Sequence, residues 1–267
     1  MTSPGGWGLE AIGRRLGPRD WAVLQDLARV RLLTGRQIQR LHLAEGSPLT
    51  QARRSRALVQ RLSDLGLLHR LDRQVGGING GSSGTVVGLS AAGQRLTSKL
   101  GPAGGKRLRR PWEPGRAFVD HVLGVSELYT CLREAERNGS LELIEFEAEP
   151  ACWRRWSDVN GAPQVIKPDA HVVLGVGEFE IHRWVEVDRS TESGTVLRRK
   201  ALTYVEYWRS GLEQQAVGVF PRALWLVLDE KRKEQLITLL GALPPDTWQL
   251  FEVGLADAAL SHLEINN

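Results

Sequence analysis

The sequence predicts an α+β chain of two domains. A helix-rich N-terminal domain carries a β-hairpin before its closing helix, and a C-terminal α/β domain follows it. Length, charge and element order point this way. The chain has 267 residues, enough for two domains of ordinary size. Residues 1–116 carry 20 Lys/Arg and 7 Asp/Glu, a net of +13, whereas residues 117–267 carry 15 and 24, a net of −9, which together make the overall +4. A basic half beside an acidic half implies a division of labour. Helical spacing dominates before residue 70, and strand-like runs dominate after residue 140.

With 42% hydrophobic and 25% charged residues, the composition is that of a soluble globular protein. No apolar run approaches the ~18 residues of a transmembrane helix. The opening MTSPGGWGLEAIGRR lacks the charged-then-apolar order of a signal peptide. Two cysteines, Cys131 and Cys152, have no metal-type spacing and suit a reducing cytoplasm. A disulfide scaffold, a membrane span and a Walker-type phosphate loop are excluded.

Residues 1–17 read as a tail and 18–100 as the first domain. Pro18 suits a first helical position, and Trp21, Leu24, Leu27 and Ala28 follow at helical spacing. The short link RVRLL leads to Thr34, an N-cap for GRQIQRLHL with Ile38 and Leu41 inward. Thr50 is expected to cap a third helix, QARRSRALVQRLSDLG, whose inner face is Ala57, Leu58, Leu62 and Leu65. Arg53, Arg54, Arg56 and Arg61 lie mainly away from that stripe. LLHRLDRQV and TVVGLS read as two strands around the glycine-rich tip GGINGGSSG, and Ser90 caps a closing helix. Three helices and a hairpin in this order make a winged helix-turn-helix. Its third helix is expected in the major groove, with Arg73 of the hairpin along the backbone. A solvated Arg-rich helix in a protein-binding module would show the same pattern. Residues 101–116 form a Gly/Pro-rich basic linker. Lys106, Arg107, Arg109 and Arg110 there either track phosphates or keep a tether soluble.

The second domain, 117–267, opens with a helix that places Phe118, Val122, Val125, Leu128 and Leu132 on one side. Strands are expected in LELIEFEAEP, in PQVIKPDAHVVLGV with a break at Pro168, and in FEIHRWVEVDRST. SGTVLRRKALTYVEYWRSG is a helix with Val196, Ala201, Tyr204, Val205 and Trp208 inward. RALWLVLDE reads as a buried strand, followed by helix KRKEQLITLLGAL and a last strand, TWQLFEV. His171 and His182 have no zinc-like spacing and read as surface or packing residues. Trp153 and Trp156 in CWRRW either pack a hairpin lip or stack on nucleic acid.

Glu186 and Asp188 sit two apart on one strand, so both point to the same face. Paired carboxylates lose hydration and repel unless something positive joins them. Either a structural ion pair with Arg189 or Lys200 supplies that charge, or a metal does.

The order α-β-β-β-α-β resembles the PD-(D/E)xK nuclease core, on KPDAHVVL with Pro168 and Asp169 and on WVEVDRST with Glu186. The resemblance implies Mg²⁺ (or Mn²⁺) on Asp169, Glu186 and Asp188, joined by Glu127 from the first helix, and metal-assisted cleavage of DNA. The family's lysine belongs two residues after the second acid, where this sequence has Asp188. Lys200 is then the catalytic lysine with Asp169 and Glu186, and Lys167 is its substitute. The winged helix together with HVLGVSELY, KPDA, VEVDRSTES and KALTYVEYW resembles the replication-relaxation family of actinobacterial and Firmicute plasmids and integrative elements. That implies double-stranded DNA as partner, with other replication proteins or a second copy of the chain as further candidates, and a role in mobile-element replication or maintenance. A non-enzymatic DNA-binding factor on an inactive nuclease-like scaffold fits the same residues.

Overall fold

The computed structural model describes residues 8–71, 84–100 and 115–263. The chain is mixed α+β and divides into two compact units, residues 1–130 and 131–267.

In the first unit, α1 (Leu9–Arg14) precedes α2 (Pro18–Val30). Pro18 opens α2 as expected, and Asp20 Oδ2 accepts the Gly17 N–H at 2.9 Å. The buried face of α2 is Val23, Leu24, Leu27 and Val30, while Ala28 is exposed. β1 (Leu32–Thr34) occupies the expected link. α3 (Gly35–His42) starts at a capping box: Thr34 Oγ1 accepts the Gln37 N–H at 3.1 Å, and Gln37 Oε1 accepts the Thr34 N–H at 2.9 Å. α4 (Pro48–Asp64) begins earlier than the sequence suggested. Ser47 is its N-cap, because Pro48 already supplies the fixed φ and missing N–H of a first position, and Ser47 Oγ accepts the Thr50 N–H at 3.4 Å. Its inner face is Ser55, Leu58, Val59 and Leu62; Ala57 is exposed.

β2 (Leu68–Leu71) and β3 (Val86–Leu89) pair antiparallel, and β1 joins on the far side of β3, giving the order β1-β3-β2. The glycine-rich tip, with Arg73 in the same segment, lies outside the described residues, as does the basic linker with Lys106, Arg107, Arg109 and Arg110. α5 (Ala91–Leu100) is capped by Ser90, whose Oγ accepts the Gly93 N–H at 3.0 Å. Gly93 is required there, since a Cβ would lie 2.2 Å from the Leu67 carbonyl oxygen. The long helix α6 (Arg116–Arg137) has its first part in this unit. There Val119, Val122 and Leu123 pack with Leu32 and Val86. Ser126 Oγ donates to the Leu32 carbonyl at 2.6 Å, and the Tyr129 hydroxyl donates to the buried Asp26 at 2.7 Å.

The second unit is built on a five-stranded sheet of order β10-β9-β8-β7-β4. β4 (Glu142–Ala148), β7 (Ala170–Val176) and β8 (Phe179–Val187) form an antiparallel meander. β9 (Arg222–Val227) runs parallel to β8, and β10 (Phe251–Leu255) runs parallel to β9. The segment read as one strand broken at Pro168 is two strands in different sheets. β6 (Pro163–Ile166) pairs with β5 (Arg154–Ser157) in a separate hairpin. Pro168 lacks the N–H a continuous ladder needs, so the break moves the chain between sheets.

The crossover from β8 to β9 contains α7 (Gly194–Ser210) and α8 (Leu212–Val217), and α9 (Glu230–Gly241) joins β9 to β10. TWQLFEV is only half strand: Pro245–Leu250 is a 3-10 turn, and pairing starts at Phe251. α10 (Ala259–Leu263) closes the described chain. α7 buries Leu197, Ala201, Tyr204, Val205 and Tyr207, which pack with Trp184 and Trp225 of the sheet. Each such large side chain contributes about 1.5–3 kcal/mol by leaving water.

Candidate functional site

Two arrangements emerge, one in each unit. On α4, Arg53, Arg54 and Arg56 are exposed and project opposite the buried Ser55, Leu58, Val59 and Leu62. Arg61 does not belong to this free set. Its guanidinium pairs with Asp20 of α2, whose side chain is almost wholly buried. It ties two helices together.

The second arrangement gathers at the end of β8. Asp169 stands just before β7 and meets Glu186 across the ladder, since Ala170 pairs with Val185 and the Asp169 N–H bonds the Val185 carbonyl at 3.0 Å. Asp169 Oδ2 accepts the Val187 N–H at 2.7 Å. Glu186 is 1% exposed and lies opposite Trp225 of β9. Its Oε1 accepts the Tyr204 hydroxyl at 2.6 Å, and its Oε2 lies 2.6 Å from Lys200 Nζ. The ammonium also stands 5.7 Å from the centroid of the Trp225 ring. Asp169, Glu186 and Lys200 therefore converge, as the nuclease resemblance implied, and the partner of Glu186 is Lys200 rather than Arg189.

The electrostatics follow from burial. Loss of water pushes the Glu186 carboxyl from 4.5 up to about 8; Lys200 opposes the rise and Asp169 adds to it. Burial works against the Lys200 charge, but Glu186 and Asp169 outweigh it and hold its pKa above the ordinary lysine value. Tyr204 is pushed well above the usual phenol range by burial and by the same carboxylate. The Cys152 thiol donates to the Pro168 carbonyl at 3.0 Å, and burial beside Asp169 and Glu186 raises its pKa and favours the neutral thiol.

The other expected members go elsewhere. Asp188 shares the strand direction of Glu186, yet its Oδ2 accepts from Arg232 Nε at 2.6 Å and its Oδ1 from the Ser190 N–H at 2.7 Å. Arg232 also donates to the Glu192 carbonyl at 2.8 Å. Glu127 lies in the first unit, where Arg40 and Gln37 bond its carboxylate. Lys167 is exposed and sits 5.0 Å from the Trp153 ring centroid. His171 is a packing residue, buried and held neutral, with a pKa lowered to about 4 by burial and then by Arg154 and His182. Sequence reasoning missed the polar roles of Arg232, Asp20 and Cys152. The Tyr204 contact carried a signal: Tyr204 follows Lys200 by four residues, which places both on one helix face.

Mg²⁺ demands near-octahedral oxygen ligands and keeps several of its waters, so it needs carboxylate lone pairs turned towards one common point. Glu186 Oε1 accepts from Tyr204, Oε2 is ion-paired with Lys200 without an aligned hydrogen bond, and Asp188 is held by Arg232. Among the described residues no group of three or more His, Cys, Asp or Glu is placed to hold a metal. In this arrangement the charges that face Glu186 and Asp188 are the protein's own Lys200 and Arg232.

A helical unit with exposed arginines, joined in sequence to a mixed-sheet unit in which half-buried Lys200 meets buried Glu186, defines an α+β protein of two compact units. A family model described as Replication-relaxation matches residues 24–223. That is well over half of the chain, and the chain belongs to the replication-relaxation family. Comparison with curated proteins and with solved structures returned no match. No helix among the described residues is long and apolar enough to cross a membrane.

Proposed function

We propose that this protein binds double-stranded DNA in the replication or maintenance of a plasmid or other mobile element, through a winged helix-turn-helix in its first unit. The carrying observation is α4, with Arg53, Arg54 and Arg56 exposed opposite its buried face. Helices α3 and α4 are followed by the antiparallel β2–β3 pair, the element order of a winged helix. In this reading α4 lies in the major groove, its arginines meet phosphates and guanine edges, and the β2–β3 hairpin follows the backbone.

The second unit acts as a nuclease-like scaffold without hydrolytic chemistry. The convergence of Asp169, Glu186 and Lys200 supports the likeness, and the engaged oxygens of Glu186 speak against metal-assisted hydrolysis. The test is one incubation of supercoiled and linear duplexes with the purified chain in Mg²⁺, Mn²⁺ and EDTA. Retarded, uncut DNA in all three is expected. Replacing Arg53, Arg54 and Arg56 with Ala should weaken binding and flatten its salt dependence by about 0.9 per lost phosphate contact. Unchanged affinity in that variant removes α4 as the DNA reader. Metal-dependent cutting that Glu186→Ala abolishes makes the second unit a nuclease.

A further inference from the structure

We infer that the Lys200 ammonium occupies the place a divalent cation would take between Asp169 and Glu186, so that the cluster carries its own tethered cation and takes no metal. This inference goes beyond DNA binding and does not depend on it. Geometry carries it. Two acids meet on adjacent strands at the end of a sheet, where a metal would be expected from their pairing. The cation that reaches this pair is Lys200 Nζ, 2.6 Å from Glu186 Oε2 and close enough to Asp169 to feel its charge. The remaining Glu186 oxygen is satisfied by Tyr204, and the Val187 N–H takes Asp169 Oδ2.

The surroundings favour a resident organic cation. The Trp225 face lies beneath the ammonium, and the Glu186 side chain is only 2% exposed. The third acid, Asp188, is matched separately by Arg232. Two protein cations thus pair with Glu186 and Asp188, while Asp169 accepts the Val187 N–H. Mg²⁺ gives up its water reluctantly. To enter, it would have to shed that shell and also displace an ammonium that is part of the same chain. Departure of Lys200 from a buried carboxylate costs the pairing without returning the carboxylate to water.

The test removes the tethered cation and offers a free one. Melting temperatures of the full chain are measured in excess MnCl₂ and in EDTA, alongside calorimetric titration with MnCl₂. The wild type should melt at the same temperature in both and give no binding heat. Lys200→Met should melt lower in EDTA, and Mn²⁺ should raise it by at least about 2–4 °C, with heat of binding. Adding Glu186→Gln to that variant should abolish the response. Wild-type protein stabilised by Mn²⁺ through Glu186 overturns the inference, as does a folded Lys200→Met chain indifferent to Mn²⁺. Should Lys200→Met not fold, ¹⁵N-lysine wild-type protein decides. One slowly exchanging ammonium signal that survives excess MgCl₂ supports the tethered cation, and displacement of that signal by MgCl₂ overturns it.

Discussion

Tyr204 and Lys200, one turn apart on α7, grip the two oxygens of a single buried carboxylate, Glu186 of β8, each at 2.6 Å. The spacing follows from helix geometry, in which residues four apart stack on one face. The carboxylate thereby fixes the rotation of α7 against the sheet. Apolar packing of Ala201 and Val205 fixes the same helix without that angular specificity.

Tyr204→Phe should therefore destabilise the chain by about 1–3 kcal/mol, the usual effect of leaving a buried acceptor without its donor. Ring volume is kept, so packing against Trp184, 5.5 Å between centroids, is preserved. Denaturant unfolding of both proteins measures this. A change of only a few tenths would show that the hydroxyl holds nothing.

The same carboxylate sets a pH dependence of unusual sign. Folding raises the Glu186 pKa from 4.5 to about 8, so in that window the folded chain keeps a proton the unfolded chain has lost. Stability then falls as pH rises through it. His171 opposes this at the acidic end: its pKa drops from 6.5 to about 4 on folding, so its contribution is lost as pH falls through that range. The raised Lys200 pKa acts only above the ordinary lysine value, outside the window. The two slopes cancel between about pH 4.5 and 6.5, so stability should be level there, fall towards pH 4 and decline from about pH 6.5 toward pH 8. Glu186→Gln should remove the decline and leave the acidic limb, as a melting series across pH will show.

Helix periodicity and caps were legible because they are local. Pro18, Thr34 and Ser90 start their helices where the sequence placed them, whereas Asp169, Glu186 and Lys200 were named through the nuclease resemblance, and only the i, i+4 spacing of Lys200 and Tyr204 was local. What failed was long range. Arg232 is 44 residues from Asp188, and Arg61 is 41 from Asp20. Nothing in either local pattern names the partner. The shift of Asp188 from expected metal ligand to ion-pair anchor needed the β8–β9 crossover, which brings the start of α9 to the end of β8. Pro168 showed a strand break, but only the fold shows that β6 changes sheet there.

Arg232→Met tests the anchor. Asp188 has a side chain 3% exposed and would lose its charged partner. Breaking a buried pair on one side costs about 3–5 kcal/mol. Replacing both residues, with Asp188→Asn beside Arg232→Met, should recover much of that loss. A double variant no more stable than Arg232→Met alone would show that the pair is not coupled.

Arg61 separates a structural arginine from the exposed arginines proposed to bind DNA on one helix. Its partner Asp20 is 3% exposed and also accepts the Gly17 N–H that opens α2. Arg61→Ala should therefore cost about 1–3 kcal/mol of stability by leaving Asp20 under-bonded. Arg53→Ala and Arg56→Ala, at exposed positions, should stay within about 0.5 kcal/mol of wild type. For duplex DNA the order reverses. Arg53→Ala and Arg56→Ala should each lower the salt slope by about 0.9, and Arg61→Ala should leave the slope unchanged where the chain is still folded. Melting and salt-titrated DNA binding on the three variants measure both quantities. An Arg61→Ala chain of wild-type stability and reduced salt slope would return Arg61 to the DNA face.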